Sequence, residues 1–356
     1  MHDRQPSQMA LAAAAARAAH LVVDREPLFF RDPVAADLIG EPGAEMVGYH
    51  RRSGDHIVLA GTRTQVTVRS RWTERRLAEL ADGGLDQYVI LGAGLDSFAY
   101  RSPLVDRMRV FEVDHPATQR WKRDLLAAAS ITPPDGLTFV GVDLETDPMP
   151  DRLAAEGFDL SRPALVSWLG VSMYLTADAV AATLTAVGGL AAGTELVMEY
   201  ALPPELRDQT GQAYADFALP VAEERGEPWR SFFTPDRLSR LLQAHGLTGR
   251  RAGQPAGRGP GRPVGPVRRP APPGPVPARP RHRRAVAGGP VAYRGATGMD
   301  AGHPSRARRR IRPHGLNTTR TSPVSGRLRA SLTPPTSTGP AVAAAEAEQG
   351  GASGPT

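Results

Sequence analysis

Two glycines and an aspartate in the first half of the chain have the types and spacing that bind a nucleoside. Gly92 and Gly94 follow the apolar run YVIL, and Asp114 ends a second apolar run, RVFEVD. Glycine permits the torsions of a tight strand-to-helix turn and lets the backbone approach a ligand closely. An acidic residue about 20 positions after such a turn is placed to accept hydrogen bonds from ribose hydroxyls. The pattern predicts a site for a nucleoside-like cofactor, and a purely structural turn is the alternative.

Asp143 ends a third apolar run and is a candidate for binding the base of the same cofactor. Its carboxylate can accept a hydrogen bond from an adenine amino group, and the backbone N–H of Leu144 can donate to a ring nitrogen. The alternative is that Asp143 caps a helix, a common role of Asp after a strand. Ser97 stands where the dinucleotide fingerprint G-x-G-x-x-G expects Gly or Ala, which counts against a nicotinamide dehydrogenase.

Further polar residues could bind the remaining parts of a cofactor or its reaction partner. Arg69 and Arg71 lie in VTVRSRW, where either could hold a carboxylate with two parallel hydrogen bonds. A solvated helix face is the alternative for both. Tyr174 could orient an acceptor or could be a core aromatic. Glu199 and His20 are weaker candidates for a general base.

The elements that must position these residues follow from the apolar pattern. Five short apolar runs predict strands at residues 88–91, 109–113, 137–142, 164–169 and 195–200. Helical patterns fit residues 62–82, 117–129 and 177–190. Continuous apolar strands joined by helices predict an α/β fold with a mostly parallel sheet covered on both faces. Gly92, Asp114, Asp143 and Tyr174 follow successive strand ends, where ligands of such sheets bind.

Composition divides the chain near residue 250. Residues 250–356 hold 19 Arg against three acidic residues, a net charge of +16, whereas the whole chain carries +6. They also hold 18 of the 34 prolines but one of the 20 aromatics, Tyr293. Such a segment buries too little apolar surface to offset the entropy of ordering. We therefore expect a folded domain over residues 1–249, with a helical cap region at 1–61, and a disordered tail over 250–356.

The remaining composition excludes several classes of site. Cysteine is absent, which rules out disulfides, thiolate metal ligands and cysteine nucleophiles, and we expect no metal site. The Ala-rich start is interrupted by Arg17 and His20, and no apolar run approaches the roughly 18 residues of a membrane span. We therefore expect a cytoplasmic protein with no membrane partner.

Four strings in order make a family resemblance specific. VILGAGLDSFAYR, FEVDHP, GVDLETD and WLGVSMYLT resemble the leucine carboxyl methyltransferase family, particularly its bacterial S-adenosylmethionine-dependent branch. The entry segment HLVVDREPLFFRDPVAADLIG and the later SFFTPDRLSRLLQAHGL resemble it too, so the similarity covers roughly residues 10–248. The resemblance implies a class I methyltransferase fold, Rossmann-like, and S-adenosylmethionine as the cofactor.

The resemblance also implies a role for each candidate. It places Gly92, Ala93 and Gly94 against the methionine part of the cofactor, and it matches Arg69 rather than Arg71 to the family's carboxylate-binding arginine. The ribose would bind Asp114, and the adenine would bind Asp143 and Leu144. The sequence departs from the better-studied members at Leu169-Gly170, where they tend to carry a glutamate, so a role of that glutamate in acceptor recognition does not carry over. The expected activity is methyl transfer to a hydroxyl or carboxylate of a small molecule.

The end of the chain is where the sequence departs most from the family. Family members continue with two strands that complete the sheet as an antiparallel pair, but GRRAGQPAGRGPGRPVGPVRRPAPPGP shows no strand pattern. We therefore expect the pair to be missing and the fifth strand to have an open edge. A gene read in a shifted frame is our favoured explanation, and a genuinely acquired basic tail is the other. Two further functions stay open: an inactive truncated relative, and nonspecific nucleic-acid binding through the tail.

Overall fold

A computed structural model describes residues 7–251 and 283–287 of the chain. All of these residues belong to one of two compact units, residues 1–299. The second unit, residues 300–356, lies outside the described residues, as do residues 252–282 and 288–299. The prediction of a disordered tail therefore falls almost entirely on residues that the structure does not describe.

The described residues form a parallel sheet with the order β3-β2-β1-β4-β5-β7-β6. Its strands are β1 (Gln87–Leu91), β2 (Arg109–Asp114), β3 (Leu137–Gly141), β4 (Leu165–Trp168), β5 (Glu195–Met198), β6 (Leu247–Arg251) and β7 (Arg283–Ala287). Every neighbouring pair runs parallel. All five predicted strands are present within a few residues of their expected bounds. The strand order reverses between β1 and β4, which makes the carboxyl edge there a binding crevice.

The last two strands correct one expectation. We predicted that the strand pair after β5 is missing, but β7 pairs with β5 and β6 pairs with β7. The edge of β5 is therefore covered, and the pair runs parallel rather than antiparallel to the sheet. The prediction was based on the many prolines after residue 250. The strands β6 and β7, with the sequences LTGRR and RRAVA, are short segments that contain no proline. The interpretation as an inactive truncated relative rested on the missing pair and loses that support.

Helices cover both faces of the sheet and form the amino-terminal cap. They are α1 (Gln8–Val23), α2 (Val34–Arg52), α3 (Ile57–Asp82), α4 (Phe98–Arg101), α5 (Pro116–Ala128), α6 (Met149–Ala155), α7 (Ala177–Gly189), α8 (Gln209–Glu224) and α9 (Pro235–Ala244). Short 3-10 turns lie at Pro103–Arg107, Ser172–Tyr174 and Pro204–Leu206. The predicted end of the cap at residue 61 falls inside α3, which is continuous. Among the described residues, no helix combines the length and apolar character that crossing a membrane requires.

Alternate residues of each central strand pack into separate cores. Val89 and Phe111 face a core that also contains Leu153 of α6 and Leu184 of α7. The positions between them, such as Ile90, face a second core that is formed with α3 and α4. Burial of each large apolar side chain contributes about 1.5–3 kcal/mol. Because both faces are buried, the strands are mostly apolar and their carboxyl ends are held in a fixed array.

Candidate functional site

A cavity of about 240 Å³ opens at the carboxyl ends of β1, β2, β3 and β4. It is lined by all eight residues predicted from the sequence: Arg69, Gly92, Ala93, Gly94, Asp114, Asp143, Leu144 and Tyr174. They come from α3 and from the segments that follow four strands. The sheet thus brings together residues up to a hundred positions apart, and their individual roles in binding remain predictions.

The glycine turn after β1 needs glycine at two positions. Gly92 and Gly94 have φ of 64° and 49°, the left-handed region that side chains with a Cβ rarely adopt. A Cβ on Gly92 would also fall 2.3 Å from Val171 Cγ2, so the turn packs closely against the segment after β4. The backbone N–H groups of Gly92 and Ala93 both donate to the Val113 carbonyl, at 2.8 and 3.1 Å. The turn is therefore anchored to β2.

Asp114 at the end of β2 is bound directly to this turn. Its Oδ2 accepts a hydrogen bond from the Gly94 N–H, and its Oδ1 accepts one from the His115 N–H at 2.6 Å. Burial raises the pKa of the Asp114 carboxyl above its ordinary value, and the two N–H groups act in the opposite direction. A carboxylate has about four lone-pair sites. Each oxygen therefore retains acceptor capacity for a ligand in the cavity.

Asp143 caps a turn rather than a helix. Its Oδ1 accepts a hydrogen bond from the Glu145 N–H at 3.0 Å, and its own N–H donates to Asp147 Oδ2 at 3.0 Å. The next helix, α6, begins at Met149, so the alternative role as a helix cap does not apply. Asp143 and Leu144 of this turn both line the cavity.

The two arginines of VTVRSRW point to different places. Arg69 lines the cavity, and its Nη1 donates to Glu199 Oε2 just after β5. Arg71 donates instead to the Phe29 carbonyl at 2.6 Å, and its guanidinium lies 5.8 Å from the Phe29 ring centroid. Of the pair, Arg69 lines the cavity and Arg71 does not.

Tyr174 belongs to a 3-10 turn after β4 and is half-buried at the wall of the cavity. Its ring meets that of Trp229 edge to face, with 6.4 Å between centroids. Burial raises the pKa of the Tyr174 phenol well above its ordinary value. The hydroxyl therefore stays protonated at neutral pH and can donate a hydrogen bond, which suits orienting an acceptor better than accepting its proton.

The two weaker base candidates are each bound by other side chains. Glu199 is buried, and besides Arg69 it accepts a hydrogen bond from Gln65 Nε2 at 2.8 Å. His20 is buried in the cap with Nδ1 2.7 Å from Asp24 Oδ2. Neither is among the described residues that line the cavity. Their positions give no support to a role as base.

Sequence reasoning missed the residues that close the other side of the cavity. Glu227, which is 8% exposed, accepts hydrogen bonds from Ser7 Oγ at 2.7 Å, Gln8 N–H at 2.7 Å and Met9 N–H at 3.2 Å. This carboxylate binds the amino end of α1, where free N–H groups and the helix dipole favour an anion. The partners lie about 220 positions apart in the chain, so no local pattern indicates the contact.

Comparison with known proteins matches the chain to one family. The family model for leucine carboxyl methyltransferase matches residues 10–188. YktD of Bacillus subtilis (strain 168), named as a candidate S-adenosyl-L-methionine-dependent methyltransferase, is 32% identical over 269 residues, covering 69% of this chain and 88% of YktD. A protein of Mycobacterium sp. (strain JLS) with the same descriptive name is 35% identical over 178 residues, covering 47% of this chain and 66% of its own.

Solved structures are more distant. A candidate methyltransferase from Thermobifida fusca YX is 21% identical, with a TM-score of 0.44 and coverage of 68% of this chain and 80% of its own. Human N-acetylserotonin methyltransferase in complex with SAM is 15% identical, with a TM-score of 0.35 and coverage of 58% and 55%.

The sheet order, the two-sided helical cover and the cavity at the strand ends define a class I methyltransferase fold. The family model spans half of the chain, and YktD is matched over most of its length. The chain belongs to the leucine carboxyl methyltransferase family, and within it to the bacterial branch, as the resemblance indicated.

Proposed function

We propose that the cavity binds S-adenosylmethionine and that the enzyme transfers its methyl group to an oxygen of a small molecule. Membership of the family and the names of the relatives support an S-adenosylmethionine-dependent methyltransferase. The observation that carries the proposal is Asp114, whose two oxygens are fixed by the Gly94 and His115 N–H groups while the side chain lines the cavity.

Each predicted residue has a part that suits its chemistry. Asp114 would accept hydrogen bonds from the ribose hydroxyls, and Asp143 would accept one from the adenine amino group. The Leu144 N–H would donate to a ring nitrogen. The backbone of Gly92 and Gly94 would lie along the methionine part, and Arg69 would bind its carboxylate.

The reaction asks the protein mainly to position two reactants and to exclude water. Bound S-adenosylmethionine supplies a methyl group on a sulfonium, and an acceptor oxygen must approach in line with it. Tyr174, protonated and at the cavity wall, would orient that oxygen through a hydrogen bond. A carboxylate acceptor is already ionised and needs no base, whereas a hydroxyl acceptor benefits from one. Both acceptors therefore remain part of the proposal.

Binding and transfer can be tested separately. Calorimetric titration of the full chain with S-adenosylhomocysteine tests the site, and 5′-methylthioadenosine, which lacks the amino-acid end, serves as the comparison ligand. Transfer of a labelled methyl group is then measured with small carboxylic acids and their matched alcohols. A methyl ester releases labelled methanol in alkali, and a methyl ether does not. Absence of binding to the full chain would contradict the proposal.

A further inference from the structure

Two consecutive carbonyl groups at the end of the glycine turn are each held by a buried cation. Arg17 Nη2 donates to the Leu95 carbonyl at 2.6 Å, and Lys122 Nζ donates to the Asp96 carbonyl at 2.7 Å. Arg17 comes from α1 of the cap and Lys122 from α5. The turn is thus held from two sides by elements that are far apart in the sequence.

Lys122 is the only lysine of the chain, which otherwise uses 42 arginines. Its side chain is 1% exposed and forms an ion pair with Glu112 Oε2 at 2.6 Å, where Glu112 is equally buried. Its Nζ also lies 5.3 Å from the ring centroid of Tyr100. A compact ammonium can direct its three donors to these separate groups, whereas a planar guanidinium presents its donors in a fixed fork.

Arg17 is arranged in the same way. Its Nε is 2.7 Å from Oδ2 of Asp32, a fully buried carboxylate. Asp32 also accepts hydrogen bonds from Ser97 Oγ at 2.6 Å and from the Ala35 N–H at 3.0 Å. Each cation that holds the turn therefore has a buried counter-ion, and Asp32 is shared with Arg101, whose Nε lies 3.5 Å from its Oδ1.

Stability alone is a weak explanation for this arrangement. A buried ion pair often contributes no more to folding than apolar residues of similar volume would, because the desolvation of both charges offsets their attraction. Both pairs nevertheless meet the glycine turn, and the turn presents Gly94 to Asp114. Both pairs thus contact a backbone segment that lines the cavity.

We propose that Lys122 and Arg17 are positioning residues that hold the glycine turn in the conformation that binds the cofactor. The inference rests on the proposed function, because it concerns affinity for S-adenosylmethionine and its product. Lys122 allows the cleaner test, since Arg17 itself lines the cavity and Lys122 does not.

The experiment separates folding from positioning with paired variants. Lys122→Met leaves Glu112 without its partner, so both thermal stability and affinity for S-adenosylhomocysteine should fall. Glu112→Leu/Lys122→Met removes both charges and should recover most of the stability. Its affinity, measured by calorimetry well below its melting temperature, should stay at least about ten-fold weaker than that of the parent, because the bond to the Asp96 carbonyl is still missing. Glu112→Gln/Lys122→Met serves as the second version if leucine is not tolerated.

An ion pair away from the cavity provides the control, with Glu195 buried and the Arg76 side chain 27% exposed. Arg76 donates two parallel hydrogen bonds, of 2.7 and 2.6 Å, to Glu195. Glu195 is the first residue of β5, so the pair lies at the end of the strand opposite the cavity. Arg76→Met/Glu195→Leu should keep the affinity within about two-fold. Parent-like affinity in the Glu112/Lys122 double variants would overturn the inference and leave the proposed function intact. Failure of the parent chain to bind S-adenosylhomocysteine would overturn both.

Discussion

Gly170 makes room for the guanidinium of Arg69. A Cβ built on Gly170 would fall 2.6 Å from Arg69 Nη1 and 2.9 Å from Nη2. Gly170 follows β4 with a φ of 70°, and Arg69 reaches it from α3 while its Nη1 donates to Glu199. A glycine in the string WLGVSMYLT thus sets the position of an arginine a hundred residues earlier in the chain.

Gly170→Ala should lower the affinity for S-adenosylhomocysteine, whereas its loss of folding stability should be similar to that of a control variant. The guanidinium is the end of a flexible side chain, so it can move away from the new methyl group, but it then leaves the place where it would bind a carboxylate. Gly84→Ala is the control, because Gly84 also has a positive φ of 91° but has no atom within 4 Å of a built Cβ. Both variants should lose roughly 1–2 kcal/mol of stability. Equal affinity of the two variants would show that Gly170 does not act through Arg69.

Arg69→Lys should weaken the affinity for S-adenosylhomocysteine by about ten-fold, because an ammonium cannot make the two parallel bonds of a guanidinium. Affinity for 5′-methylthioadenosine should not change, since that ligand has no carboxylate. Arg71→Lys is the matched variant two residues away and should affect neither ligand. A larger loss in the Arg71 variant would reverse the assignment.

Asp114→Ala should cost about 1–3 kcal/mol of binding free energy, because ribose hydroxyls would lose their acceptor. The comparison is Asp124→Ala, which removes an exposed carboxylate from α5. Titration calorimetry with S-adenosylhomocysteine measures both. If Asp114→Ala binds as tightly as the parent, the ribose does not lie at Asp114.

The stability of the parent relative to Glu112→Gln should fall as the pH rises from about 5 to about 8. Burial raises the pKa of Glu112 from its ordinary value of 4.5 to about 7, even with Lys122 beside it. Between these values the folded protein holds a proton that the unfolded chain has released, so the free energy of unfolding decreases with pH. Urea denaturation at both pH values measures the difference. A difference that stays constant or increases would contradict the raised pKa.

Much of the fold and of the candidate site could be predicted because both depend on local pattern. Parallel strands buried on both faces must be continuously apolar, so runs such as YVIL indicate β1 without knowledge of its neighbours. Carboxyl ends of parallel strands share an edge, which is why Asp114 and Asp143 were expected near Gly94. Seven of the eight expected residues line the cavity for this reason, whereas Arg69 reaches it from α3.

The contacts that sequence reasoning missed depend on tertiary packing. Nothing local indicates that Glu227 binds the start of α1, or that Lys122 reaches the carbonyl of Asp96. β7 was missed for a different reason: its five residues are a small part of a segment dominated by Arg and Pro. The average composition of a long segment does not indicate a short strand within it, least of all one whose pairing partner is far away in the sequence.

Hydrogen exchange of the full chain with and without S-adenosylhomocysteine tests the location of the cofactor most directly. The account predicts slower exchange on binding at residues 92–96, at residues 114–115 and at residues 143–145, which line the same cavity. Peptides around Arg76 in α3 and around Glu195 at the start of β5 should exchange at the same rate in both states. Binding that protects other segments and leaves residues 92–96 and 114–115 unchanged would contradict the assignment of this cavity as the cofactor site.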